Sequence, residues 1–316
     1  MGVSKFFSLG FLRAVSWSLL MVSMGLIVTL IQLLAWLPAW LGLDPNYWLA
    51  QRLVSLLAST ALWPFAAVQV KVRAHCCTLL FPLPPARARA GASQPRTSPA
   101  RSTLSLTPLL PRQGLENLVK GPCVIVCNHQ SFLDPSLCAI ALRSVNFKCP
   151  FKHDLMFYPG VGSCLWLAGH MPVDRKDKEN GKRVLEKCAY WLARGCSALF
   201  YAEGTRWTGP GMGELKFGAF ITAQKAQVPI LCLTISGARH VLPPGFPSMR
   251  QGELSITVHA ALPPPALCKD DAEGSRRAVE ASMKAARELM VSALKPIDMV
   301  DARGAAARPQ KGATQD

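Results

Sequence analysis

Cys123-Val124-Ile125-Val126-Cys127 runs straight into Asn128-His129-Gln130-Ser131-Phe132-Leu133-Asp134-Pro135, and that junction decides how the chain is read. The first five residues are continuously apolar, as in a strand buried on both faces. The polar cluster behind them then sits at a strand's carboxyl end, where an open α/β sheet places its ligand site. The five residues from His129 to Asp134 rotate roughly 500° at 3.6 residues per turn, so the two cannot share a helix face. They can meet if His129 stays in the loop and Asp134 falls near the first turn of the next helix. Asp134 would then hold one imidazole nitrogen, fix the tautomer, and leave the other to take a proton from an alcohol. Alone, the spacing fits a structural histidine beside a capping aspartate equally well.

Toward the C-terminus the α/β pattern continues. Ala198–Tyr201 and Ile230–Ile235 are further apolar runs of buried-strand length, and Leu254–Val258 alternates like a half-exposed strand. Val184, Leu185, Cys188, Trp191 and Leu192 recur at helical spacing behind a helix start at Asn180-Gly181. Asp271 to Leu294 reads as a closing amphipathic helix. The fold class expected is α/β, a central sheet flanked by helices, over residues 114–298, with a disordered tail at 299–316.

Toward the N-terminus the composition changes. Ala14 to Leu43 carries no charge, and Val15 to Leu37 supplies the ~20 apolar residues that cross a bilayer. A second uncharged tract, Leu53 to Val70, is interrupted by Pro64 and is read as spanning, re-entering, lying in the interface, or packing as a helix of the soluble domain. Residues 1–73 are thus expected to be a membrane anchor of one or two hydrophobic helices. Lys5 and Arg13 ahead of the first tract place the N-terminus on the cytosolic side, and the rest of the chain follows if the second tract returns to the same side. Residues 74–113 hold five arginines, no acidic residue, and many Pro, Ser and Ala, which reads as a disordered insertion.

The chain is 50% hydrophobic and only 17% charged, against about 25% charged in soluble proteins, which argues for a membrane protein. The net charge of +16 suits an anionic surface or a phosphorylated substrate. Nucleic acid is disfavoured, because five of those charges lie in the linker and aromatic and basic residues do not interleave. Eleven cysteines without a CxxC pair read as reduced packing thiols, and no histidine forms a metal-ligand spacing with His129 and Asp134, so no metal is expected.

Three more polar clusters accompany the first. Glu203-Gly204-Thr205-Arg206 follows an apolar strand, with Gly204 permitting close backbone approach and Arg206 offering planar donors to a phosphate. Gly169 to Arg175 and Leu215 to Phe220 each put a cation, Arg175 and Lys216, beside small or apolar residues. Each is unremarkable alone.

Their order is informative. NHQSFLD (128–134), GHMPVDR (169–175), YAEGTR (201–206), LKFGAF (215–220) and VPI (228–230) together resemble the four-block signature of the glycerolipid acyltransferases, specifically 1-acyl-glycerol-3-phosphate acyltransferases, over roughly residues 114–264. The resemblance implies His129 as general base oriented by Asp134, with no covalent acyl-enzyme. It implies acceptor binding by Glu203, Gly204, Thr205 and Arg206, and supporting charge from Arg175 and Lys216. Acyl-CoA is then a co-substrate, lysophosphatidate the acceptor, the bilayer a partner, and no prosthetic group is needed. Glycerol-3-phosphate or another lysophospholipid is the alternative acceptor, and a non-catalytic lipid-binding relative the alternative class. The compartment expected is the endoplasmic reticulum with a cytosolic catalytic domain, the plastid envelope being the alternative. Two positions depart from the family pattern, Ala202 and Cys232, each standing where a proline is usual. Oligomeric state and acyl-chain preference do not follow from these residues.

Overall fold

The computed structural model describes residues 30, 33–34, 36–61, 68–75, 115–158, 161–174, 177–243 and 252–300. Its frame is a six-stranded sheet built from β1 (Val68–His75), β2 (Val124–Cys127), β3 (Phe147–Lys148), β6 (Ser197–Tyr201), β7 (Ile230–Ser236) and β8 (Gly252–His259). They lie in the order β1-β8-β7-β2-β6-β3 and pair in parallel except for β7 with β8. A separate parallel pair joins β4 (Pro150–Lys152) to β5 (Met171–Val173). The first-quoted run is the central strand. Val124 and Val126 face one core cluster, Ile125 and Cys127 another, and all four are fully buried. Burying each side chain of this kind contributes about 1.5–3 kcal/mol.

The helices cover both faces. On the first lie α4 (Lys178–Ala193), α5 (Phe217–Ala226) and α7 (Ala272–Val291); on the second lies α2 (Asp134–Ala141). The α4 helix begins at Lys178, ahead of the predicted Asn180, because the Asp177 side chain accepts the Glu179 amide at 2.9 Å and caps it. It stops at Gly195, whose φ of +82° is left-handed. The closing helix is capped in the same way by Asp271, which accepts from Gly274 N at 2.7 Å. Two short helices, α3 (Val161–Leu167) and α6 (Ala238–Val241), complete the set with α1 (Trp48–Ala61).

Three expectations change. β8 is not half exposed: Ser255, Thr257 and His259 are as buried as Leu254 and Ile256. It lies between β1 and β7, and the Thr234 hydroxyl of β7 bonds to both His259 Nε2 (2.9 Å) and the α7 carbonyl of Met290 (3.1 Å), so the polar face is sealed as well. The tract Leu53–Val70 is not one helix, since its front lies in α1 and its end opens β1. Fourteen residues of helix rise about 21 Å, short of the ~30 Å of a bilayer core, and α1 packs on α2. The anchor boundary at Arg73 also falls inside β1, which pairs with β8 along its whole length and so belongs to the sheet. Among the described residues no helix is long and apolar enough to cross a membrane. Most of the predicted anchor, nearly all of the predicted insertion, and the tail beyond Val300 lie outside the described residues.

Candidate active site

Because β2 and β6 are parallel neighbours, with Cys127 opposite Tyr201, the loops leaving their carboxyl ends emerge side by side. Asn128 fixes the first loop to β7, its amide donating to Ile235 O at 2.9 Å while its Oδ1 accepts Ile235 N at 2.7 Å. His129 then stands in the loop, and Asp134 is the first residue of α2, followed by Pro135. The Asp134 carboxylate is fully buried. Its Oδ2 accepts from His129 Nδ1 at 2.7 Å, Gln130 N at 2.6 Å and Ser131 N at 2.8 Å. An acceptor carboxylate at Nδ1 holds the proton there and leaves Nε2 as the basic nitrogen. The imidazole also stacks on Tyr201, with ring centroids 4.3 Å apart at 25°.

Glu203, Gly204, Thr205, Arg206 and Lys216 divide into two groups. Glu203 is buried, and its oxygens accept from His129 N (2.7 Å) and Gly213 N (2.6 Å). Burial pushes its pKa up, and the two backbone amides hold it down. The carboxylate, read in the sequence as an acceptor-binding group, is held here by these two backbone amides and does not line the cavity. Gly204, Thr205, Arg206 and Lys216 instead line a cavity with His129. Gly204 sits at φ +73°, a turn that an L side chain adopts only with strain. The Arg206 guanidinium lies 3.7 Å from the centre of the Phe132 ring, another residue of the cavity lining. Arg175 lies outside the described residues.

The cavity measures about 860 Å³, within the ~300–1,000 Å³ of small-molecule sites. Its lining also includes Phe147, Phe151, Leu165, Val184 and Leu199. Lys152 also lines it and was missed in the sequence, where it falls in none of the recognised blocks; it pairs with exposed Asp154. His170, from the second block, reaches the wall, and its Nδ1 accepts Cys149 N at 2.9 Å. Burial first, and then the charge of Lys148, depress its pKa to about 3. Lys148 is wholly buried and donates to Ala168 O at 2.9 Å, with its ammonium 5.2 Å from the Trp191 ring; desolvation lowers its pKa to about 8. The described cysteines are free thiols, all but Cys149 and Cys268 buried. Among the described residues no three His, Cys, Asp or Glu side chains converge as metal ligands.

A mostly parallel α/β sheet with a His–Asp pair and with Arg206 and Lys216 on a largely apolar cavity fits an acyltransferase domain, and residues 111–236 match the model of the family described as Acyltransferase. A 1-acyl-sn-glycerol-3-phosphate acyltransferase of Chlamydomonas reinhardtii is 36% identical over 173 residues, 54% of this chain and 52% of that one. A chloroplastic relative of the same name from Brassica napus is 33% identical over 150 residues, 46% and 43% of the two chains. A putative one from Caenorhabditis elegans is 30% identical over 200 residues, covering 63% and 67%. The chain thus spans about half the length of the first of these curated relatives. The fold is also that of the crystal structure of the lysophosphatidate acyltransferase PlsC from Thermotoga maritima, with a TM-score of 0.50 at 18% identity over 84% of this chain and 97% of that one. The chain belongs to the 1-acyl-sn-glycerol-3-phosphate acyltransferase family.

Proposed function

We propose that this protein transfers an acyl group from acyl-CoA to the sn-2 hydroxyl of 1-acyl-glycerol-3-phosphate, forming phosphatidate. The observation that carries the reading is the 2.7 Å contact of His129 Nδ1 with buried Asp134, in a cavity shared with Arg206 and Lys216. His129 Nε2 takes the hydroxyl proton as the oxygen attacks the thioester carbonyl. The tetrahedral intermediate collapses with loss of the CoA thiolate, which takes the proton back from the imidazolium. Arg206, Lys216 and Lys152 hold the acceptor phosphate and convert binding into proximity, and the apolar interior receives acyl chain.

The membrane is the proposed partner. Exposed Trp40, Trp48, Phe157, Tyr158 and Trp166 support this, being large apolar side chains that a lone soluble domain seldom displays together. The relatives named chloroplastic favour the plastid envelope over the endoplasmic reticulum. Membranes carrying the protein, given labelled acyl-CoA and lysophosphatidate, should form phosphatidate, and His129→Ala should abolish it. Equal product from both would defeat the mechanism. Acylation of glycerol-3-phosphate or another lysolipid alone would move the acceptor, and no CoA release with any acceptor would leave a lipid-binding relative.

A further inference from the structure

We propose that Arg287, on the C-terminal helix α7, is a positioning residue for the His129 loop, acting through Gly213 and Glu203; this rests on the proposed role of His129. The Arg287 guanidinium donates to two successive carbonyls, Met212 O at 3.0 Å and Gly213 O. Met212 C=O and Gly213 N–H belong to one planar peptide unit and point in opposite directions. Gripping the carbonyl therefore aims the amide, and that amide donates to Glu203 Oε2 at 2.6 Å. The other oxygen of Glu203 accepts His129 N at 2.7 Å, while His129 O accepts Trp207 N at 2.8 Å. The backbone on both sides of the imidazole is thus fixed by the loop that Arg287 holds.

Two further groups tighten the same loop. Arg239 donates to Gly211 O at 3.2 Å, and Gly211 N donates to Asp298 O at 2.7 Å. Gly213 has no room for a side chain, since a Cβ there would lie 2.7 Å from Glu203 Oε2 and 3.0 Å from Trp207. The family signature ends well before α7, so block-by-block reading assigns nothing to residue 287. Glu203 depends on the clamp because it is buried with both partners as donors. Glutamine in its place offers one oxygen and one amide group, and leaves one backbone N–H facing another donor.

The test is a double-mutant cycle between Arg287→Ala and Glu203→Gln in the full chain, read as kcat and KM for the acyl transfer that His129→Ala abolishes, with amide hydrogen exchange at His129 and Gly213. Arg287→Ala should lower kcat about 10- to 100-fold with both KM values within about twofold. The double variant should lose no more than Glu203→Gln alone, to within about threefold. Arg287→Lys should recover part of the rate, and exchange at His129 should quicken in Arg287→Ala. Gly213→Ala should reproduce the kcat loss if Arg287→Ala does not fold. Multiplicative losses, a raised acceptor KM at unchanged kcat, or unaltered exchange at His129 would overturn the clamp. If the wild type transfers no acyl group while exchange at His129 still answers to Arg287, the functional reading fails and the clamp stands.

Discussion

Replacing Asp134 by asparagine changes one charge and almost no volume, and it isolates what the carboxylate contributes. Three donors converge on Oδ2, and the amide oxygen of asparagine can occupy that point. The bonds it accepts are neutral, about half as strong as charge-assisted ones, so each of three weakens by roughly 0.5–1.5 kcal/mol. The amide nitrogen then falls where Oδ1 now lies, buried without a protein partner, at a cost to folding of about 1–3 kcal/mol. Together these lower the stability of the domain by about 2.5–7.5 kcal/mol. In the reaction the loss is selective, because His129 is cationic only after taking the proton, and a neutral amide at 2.7 Å no longer stabilises that cation. About 3–4 kcal/mol of lost transition-state stabilisation lowers kcat roughly 10²- to 10³-fold. Asp134 is fully buried and outside the cavity lining, so both KM values should stay within about threefold. Thiol release from acyl-CoA with lysophosphatidate as acceptor measures both. A kcat within threefold of wild type, or a raised acceptor KM at unchanged kcat, would refute the orienting role.

Arg206→Ala should raise the acceptor KM about tenfold or more and leave the acyl-CoA KM near wild type. Arg206→Lys should recover only part, because an ammonium lacks the planar donors and stacks poorly on Phe132; equal effects on both substrates would count against a phosphate role. Lys148 titrates near 8 when folded against 10.5 when unfolded, so between those values the unfolded state binds more protons and the lysine's contribution to stability rises with pH. Below pH 8 the full penalty stands, at most about 3 kcal/mol. The stability of Lys148→Met relative to wild type, from urea melts at pH 7.5 and 10, should therefore fall over that interval, and a difference independent of pH would show that folding leaves the lysine's pKa unshifted.

What was legible in the sequence follows from where side chains point. β2, β6 and β7 could be read because strands covered on both faces must be mainly apolar, as the runs Val124–Cys127, Ala198–Tyr201 and Ile230–Leu233 are. β8 misled because Ser255 and Thr257 look like solvent-facing residues, and only the fold shows them buried on an inner strand between β1 and β7. α1 and β1 were merged into one hydrophobic tract because apolarity without period does not separate a helix from the strand after it. At the site, the meeting of His129 with Asp134 was foreseeable from spacing plus a helix start, whereas Lys152 was not. It enters the cavity through the β4–β5 pair, whose three-residue strands leave no pattern. The backbone partners of Glu203 were hidden for a related reason: a Glu at a site looks like a ligand until its two oxygens are seen on backbone amides.

The departure at Ala202 shows how such a loop tolerates change. A proline there would restrict φ and carry no N–H, but Ala202 N donates to Cys127 O at 3.1 Å and its own carbonyl accepts Lys216 N at 2.7 Å. The first bond continues the β2–β6 ladder one step past Tyr201, to the last residue before Asn128; the second ties the start of α5 to the same point. A net contribution of about 1 kcal/mol from the added bond is comparable with the ~0.4–1 kcal/mol that proline would supply by restricting the unfolded chain. The two residues reach one end by different means. Either way the strand end carrying Glu203 is held against the strand end carrying His129, and it is this registration, not the identity of residue 202, on which the site geometry depends.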